Sequence, residues 1–319
     1  MPLQSEHITG LTHSRPLPPA TVHKAAQDQV LLTDARRVGA NRFLMTALWP
    51  DDHALYHPDA QGKGDPSFVV ESVRQAAIHL SHGFYAIPRA ERAFVLDQFG
   101  VEVLPPGLPH GHGRPLPVVL DISCSHTVAR SGRADMSLEA DVLIGGTLYA
   151  RAAVRWVVMP SRQYDVLRRR NSPTPTAGSR RLGSMPTVPL GPEAVGRRLT
   201  RDVLLADAPD LAPLSWLLTM DQTHPVLFDH RSDHIPGMVL FEAMRQAAHV
   251  AGGGGTGGPQ RVDAQFECFG ELDVPVLITA EATGDGPGAG SLVLAAQQGD
   301  RTLARVRVAR SAYAEAVPC

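Results

Sequence analysis

Two groups of residues in this chain have the types and spacing for acid–base chemistry. Glu71, Arg74 and Gln75 stand at i, i+3 and i+4 in an apolar frame, and the trio recurs as Glu242, Arg245 and Gln246. That spacing puts each trio on one helix face. Such a carboxylate is either paired with its own arginine or faces a dry pocket with a raised pKa, and spacing alone leaves both open. The second group is the run His224-Pro-Val-Leu-Phe-Asp229-His230-Arg-Ser-Asp233-His-Ile-Pro236-Gly237, which leads directly to Glu242. His230 can act as a general base near neutral pH. Gly237 in a first helical turn would let a ligand approach backbone N–H groups, where the helix dipole favours negative charge. A thioester or ketone carbonyl held there would be polarised as in an oxyanion hole. Arg74 and Arg245 match phosphate geometry, with pairing to their own glutamates as the competing role.

These residues belong to a repeat. Glu71-Ser-Val-Arg-Gln-Ala-Ala77 and Glu242-Ala-Met-Arg-Gln-Ala-Ala248 lie 171 positions apart, and His53 and His224 share that offset. Val30–Ala35 resembles Val203–Ala208 at an offset of 173. A period this long indicates two duplicated domains rather than a solenoid.

Each copy must carry one helix. Asp65-Pro66 suits a helix start, and Phe68, Val69, Val73, Ala76, Ala77 and Leu80 recur at helical spacing toward Gly83. Val-, Leu- and Ile-rich runs at 29–34, 42–50, 93–104, 117–128, 134–143 and 147–159 read as strands. In the second copy the helix spans 237–250. Its strands are expected at 201–206, 214–220, 260–269, 274–282, 291–297 and 302–310. Gly252–Gly258 reads as a hairpin loop, because no helix follows it. The expected division is a loose arm at 1–20, a first domain at 21–169, a Pro-rich linker at 170–193 and a second domain at 194–319. The order predicts an α+β fold in which each curved antiparallel sheet wraps its own helix.

Composition narrows the function. The chain has 319 residues, 43% of them hydrophobic, with a net charge of −2. It is long enough for two cores and carries no basic excess of the kind that nucleic acid requires. Three widely spaced cysteines, Cys124, Cys268 and Cys319, predict neither a disulfide framework nor a metal site. No signal segment and no run of about 18 apolar residues is evident, so a cytoplasmic protein without membrane association is expected.

Pro-Gly-Met-Val-Leu-Phe-Glu-Ala-Met-Arg-Gln at 236–246 resembles the central helix of hot-dog acyl carrier protein dehydratases. The wider pattern resembles the A-factor biosynthesis family, the γ-butyrolactone and furan autoregulator synthases. It rests on Val22-His-Lys24, Trp49-Pro-x-x-His53, Asp65-Pro66 with Glu71-x-x-Arg74-Gln75, and Asp229-His230 with Asp233-His-x-Pro-Gly-Met. The resemblance implies a double hot-dog fold and an acyltransferase. Such enzymes join a β-ketoacyl group, carried on acyl carrier protein or CoA, to dihydroxyacetone phosphate without a cofactor. It also implies a hybrid site of His230, Gly237 and Glu71, and a weaker reciprocal one of His53 and Glu242. Gln75, Gln246 and His224 are cast in support, and the body is a monomeric pseudo-dimer or a homodimer. His230 lies six residues before Pro236, two fewer than in dehydratases, which argues against dehydration. The alternatives are a hot-dog dehydratase or thioesterase, or a non-catalytic protein that binds acyl lactones.

Overall fold

The computed structural model describes residues 10–170, 172–253, 261–283 and 291–309. The chain divides into two compact units, Met1–Ser161 and Arg162–Cys319.

In the first unit, β1 (Leu32–Arg37) and β2 (Arg42–Trp49) precede the helix α1 (Ser67–Gly83). Four long strands follow: β3 (Arg92–Val103), β4 (Leu116–Val128), β5 (Ala134–Ile144) and β6 (Thr147–Pro160). They form an antiparallel sheet in the order β1-β2-β4-β5-β6-β3. Alternate residues are buried along β4 (Val118, Leu120, Ile122, Cys124) and β5 (Ala134, Met136, Leu138, Ala140, Val142). With a side-chain period of two, that alternation gives the sheet one dry face. The dry face packs on α1, which touches β1, β2, β3, β5 and β6. A helix enclosed in this way must be apolar nearly all round, and α1 buries residues on every face, Glu71 among them. Two indoles tie sheet to helix, Trp49 Nε1 donating to Ser72 Oγ at 2.8 Å and Trp156 Nε1 to Ser81 Oγ at 3.1 Å.

The second unit begins with two short helices, α2 (from Ser161, the last residue of unit one, to Arg170) and α3 (Ala177–Ser184). Then come β7 (Val188–Pro189), β8 (Leu205–Asp207), β9 (Ser215–Leu218), α4 (Gly237–Ala251), β10 (Arg261–Phe266), β11 (Leu277–Thr283), β12 (Ser291–Gln298) and β13 (Arg301–Ala309). The sheet order is β10-β13-β12-β11-β9-β8-β7. Removing the edge strand β7 leaves the order of the first unit read from its other end. The duplication is therefore topological as well as textual, and each unit is a hot-dog: one curved antiparallel sheet around one helix.

Two details differ from the sequence reading. The segment expected as linker contains α3, whose Thr176 and Ser179 form a reciprocal capping box. The strand expected at 201–206 starts later, because Thr200–Asp202 forms a single 3-10 turn. Most of the glycine-rich loop, 254–258, falls outside the described residues.

Candidate active site

The trios on α1 and α4 close into buried ionic knots. Glu71 Oε1 takes Lys24 Nζ at 3.1 Å, Arg74 Nη2 at 2.9 Å and Gln75 Nε2 at 2.8 Å, while Oε2 takes Arg74 Nε at 2.9 Å. Glu242 repeats this with Arg197 (2.7 and 2.6 Å), Arg245 (2.8 and 3.0 Å) and Gln246 (2.7 Å). Burial alone would push both carboxyls up. The adjacent charges, Arg74 and Lys24 in one unit and Arg197 and Arg245 in the other, overcome it with their hydrogen bonds. Both carboxyls are held well below the usual carboxylate range. Of the two readings that spacing left open, the paired carboxylate is the one the geometry displays. Arg74 and Arg245 likewise turn their forks onto their own glutamates.

The glutamines extend each knot to the backbone. Gln75 accepts from Leu31 N and donates to Gln29 O, and Gln246 accepts from Leu204 N and donates to Asp202 O. Lys24 and Arg197 were not given this role from sequence. The signal existed: Pro19-Ala-Thr-Val22-His-Lys24 aligns with Pro192-Glu-Ala-Val195-Gly-Arg197 at the same offset of 173. Both segments turn through positive φ, +53° at His23 and +67° at Gly196.

His53 and His224 also match. Each ring is buried, and its Nδ1 accepts two backbone N–H groups, from Leu55 and Tyr56 in one unit and from Val226 and Leu227 in the other. An Nδ1 that accepts twice carries no proton, so the ring proton sits on Nε2, and in His224 that atom reaches Asp202 Oδ1 at 3.1 Å. Burial lowers the pKa of His53 to about 4 despite the Glu71 and Asp65 charges. These rings are neutral fasteners of the turn that enters each helix loop.

The helix starts do not match. In the first unit Pro66 has no N–H, and Asp65 Oδ1 accepts from Ser67 N at 2.8 Å, so α1 begins closed. In the second, the position 171 residues beyond Pro66 is Gly237. No side chain caps α4, and its first backbone bonds run from Val239 and Leu240 to the Pro236 carbonyl. The Gly237 and Met238 N–H groups have no protein acceptor among the described residues. Just upstream, His230 Nδ1 lies 2.6 Å from Asp229 Oδ1, with the imidazole 58% exposed and the carboxylate buried. An ionised aspartate accepts the Nδ1 proton and leaves the Nε2 lone pair facing outward. One unit thus holds an uncapped helix start and an oriented imidazole, a combination suited to acyl chemistry.

The model of the A-factor biosynthesis hotdog domain (AfsA) matches residues 3–160 and again 183–313. The chain belongs to this family. A Streptomyces virginiae member named 2-oxo-3-(phosphooxy)propyl 3-oxoalkanoate synthase is 35% identical over 267 residues, covering 83% of this chain and 87% of that protein. A Streptomyces griseus member of the same name is 30% identical, with 81% and 83% covered. Among solved structures, this A-factor family chain superposes on a Lactobacillus plantarum protein described as an oleoyl thioesterase. The TM-score is 0.51 at 13% identity, with 85% and 97% covered. A 12:0-ACP thioesterase from Umbellularia californica gives 0.51 at 11%, with 86% and 98% covered. At such identities the likeness is one of fold, the double hot-dog. Among the described residues no His, Cys, Asp and Glu cluster could hold a metal ion, and no helix is long and apolar enough to cross a membrane.

Proposed function

We propose that this protein is an acyltransferase that joins a β-ketoacyl group, delivered as a thioester, to a hydroxyl of dihydroxyacetone phosphate. The product is the 2-oxo-3-(phosphooxy)propyl 3-oxoalkanoate named in its relatives, a precursor of a γ-butyrolactone or furan signal. The observation that carries this reading is 35% identity to such a synthase across 83% of the chain. Acyl carrier protein is the donor we favour, and the cytoplasm, where carrier thioesters and dihydroxyacetone phosphate are made, is the compartment.

The chemistry follows from the second unit. His230 Nε2 takes the hydroxyl proton, and the alkoxide attacks the thioester carbonyl. The carbonyl oxygen, now charged, rests on the Gly237 and Met238 N–H groups, the carbon–sulfur bond breaks and the ester forms. Glu71 was the other base offered by the sequence, but its oxygens are already occupied by Lys24, Arg74 and Gln75, so the proton falls to His230. The phosphate sites proposed for Arg74 and Arg245 require these forks to leave their glutamates.

Mass spectrometry of products from a panel of β-ketoacyl thioesters, with and without dihydroxyacetone phosphate, tests the reading. The phosphorylated ester is expected only when both are present. Free acid or an enoyl thioester formed without the phosphate would instead make this a thioesterase or a dehydratase. Tight lactone binding without turnover would make it a binding protein. His230→Ala is expected to slow ester formation by roughly 10²–10⁴-fold.

A further inference from the structure

Acyl transfer from a thioester moves two protons: one leaves the attacking hydroxyl and one reaches the departing sulfur. His230 accounts for the first. Four residues on, the same loop holds a second carboxylate-bound imidazole. His234 Nδ1 lies 2.7 Å from Asp233 Oδ1 and 3.2 Å from the Tyr164 hydroxyl, which itself donates to both Asp233 oxygens at 3.0 Å.

This imidazole is held harder than His230. Its ring sits edge-on to Phe269, with centroids 5.0 Å apart, and Tyr164 packs on that same phenyl ring at 5.4 Å. Ser232 Oγ donates to the His234 carbonyl at 2.7 Å, and Ile235 N bonds Gly270 O at 2.9 Å, so both polar groups of the peptide that follows His234 are pinned. From α2, Arg168 donates to the Asp233 carbonyl at 3.0 Å and pairs with Glu271 (Nη2 to Oε2, 2.6 Å). The charged groups around the ring are therefore Asp233, Glu271 and Arg168, with Tyr164 as the one phenol. Burial raises the Tyr164 pKa and its hydrogen bond to Asp233 raises it further, so the phenol stays protonated. Burial would raise the Asp233 carboxyl, but hydrogen bonds from His234 and Tyr164 outweigh it and keep the group ionised.

We propose that His234 is a second catalytic residue, the general acid that delivers a proton from Nε2 to the thiolate as the carbon–sulfur bond breaks, with Asp233 and Tyr164 as its positioning residues. The reason lies in the number of acceptors at Nδ1. The imidazole whose Nδ1 faces both a carboxylate and a phenol oxygen is fixed in one orientation, with Nε2 as its remaining proton-transfer atom. His230, with one carboxylate partner and its ring exposed, is the less constrained of the two and keeps the role of base. The balance closes: His230 gains the hydroxyl proton, sulfur gains the His234 proton, and solvent returns one from His230 to His234.

This rests on the proposed acyl transfer, and the test separates the two. Rates of wild type, His234→Asn, Tyr164→Phe and Asp233→Asn are compared on an alkyl thioester and an aryl thioester of one β-ketoacyl chain. An aryl thiolate departs without a proton. His234→Asn is expected to lose roughly 10²–10⁴-fold on the alkyl donor and to stay within about tenfold of wild type on the aryl donor. It should also lose the alkaline limb of the bell-shaped rate profile, with Tyr164→Phe and Asp233→Asn moving that limb. Circular dichroism and thermal melting confirm that each variant is folded. Equal loss on both donors, or an unchanged alkaline limb, overturns the acid role while leaving the function standing. A wild type that forms no ester from either donor overturns the function and this inference together. If His234→Asn does not fold, Tyr164→Phe carries the same donor comparison, and equal ratios again overturn the role.

Discussion

The two units have the same frame and different loops. Both bury a glutamate under two cations and a glutamine, both fasten the entering turn with a neutral histidine, and both wrap the helix with strands in the same order. Only the second has an uncapped helix start, and its helix-entry loop carries two adjacent Asp-His pairs whose side chains bond to each other, whereas His53, next to Asp52, spends its Nδ1 on backbone N–H groups. What is repeated serves the fold; what is not repeated is where reactivity is to be sought.

The comparison can be broken most forcefully at the knots. Glu71→Ala and Glu242→Ala each strand buried cations, which costs about 3–5 kcal/mol, so urea unfolding should show losses of that size in both variants. A fully stable variant would mean that the knots are not the shared frame. Acid should act through the same groups. Their folded pKa values lie below the ordinary glutamate value of 4.5, so their contribution is complete above that pH and fades as pH falls below it.

Next in size is Gly237→Pro, which copies Pro66 into the second unit. Proline is tolerated at a first helical position, and Pro236, with φ −58° and ψ 138°, already has the extended backbone that must precede it. The fold should survive while turnover drops roughly 10²–10³-fold, the usual cost of losing one oxyanion donor. Unchanged turnover would remove the helix start from the mechanism.

A third test concerns the histidine fastener. His53 stays neutral in the fold down to about pH 4 while an unfolded histidine protonates near 6.5. The unfolded chain therefore binds the extra proton between these values, and stability falls as pH drops through that window, by up to roughly 3 kcal/mol. His53→Gln should flatten the window in pH-dependent denaturation while leaving the loop of the second unit in place. The smallest effect belongs to Asp65→Ala, which uncaps α1: about 1 kcal/mol of stability and no change in turnover. A large loss of activity there would assign chemistry to the first helix start as well.

Much of this was legible in the residues. The strands of the first unit and both long helices follow from periods of two and 3.6, and the duplication follows from the paired Glu-x-x-Arg-Gln. Asp229-His230 and Pro236-Gly237 mark in the sequence the loop to which the proposed chemistry is assigned. The aligned segments marked Lys24 and Arg197 as repeated positions, but that each reaches its glutamate, more than forty residues away, was decided by the fold. Nor could the sequence show Tyr164, which lies seventy residues before His234 on a helix that the Pro-rich composition around it concealed.

By itself the sequence determined the elements, their repetition and the family, since hydrophobic period and local spacing are properties of neighbours along the chain. Tertiary structure decided which ionisable groups are spent and which are available. A carboxylate on a helix face becomes a base or a buried ion according to the charges folded against it, and those arrive from distant segments. For that reason Glu71 and Glu242 are bound into the frame, and the proposed chemistry is assigned to the imidazoles ahead of α4.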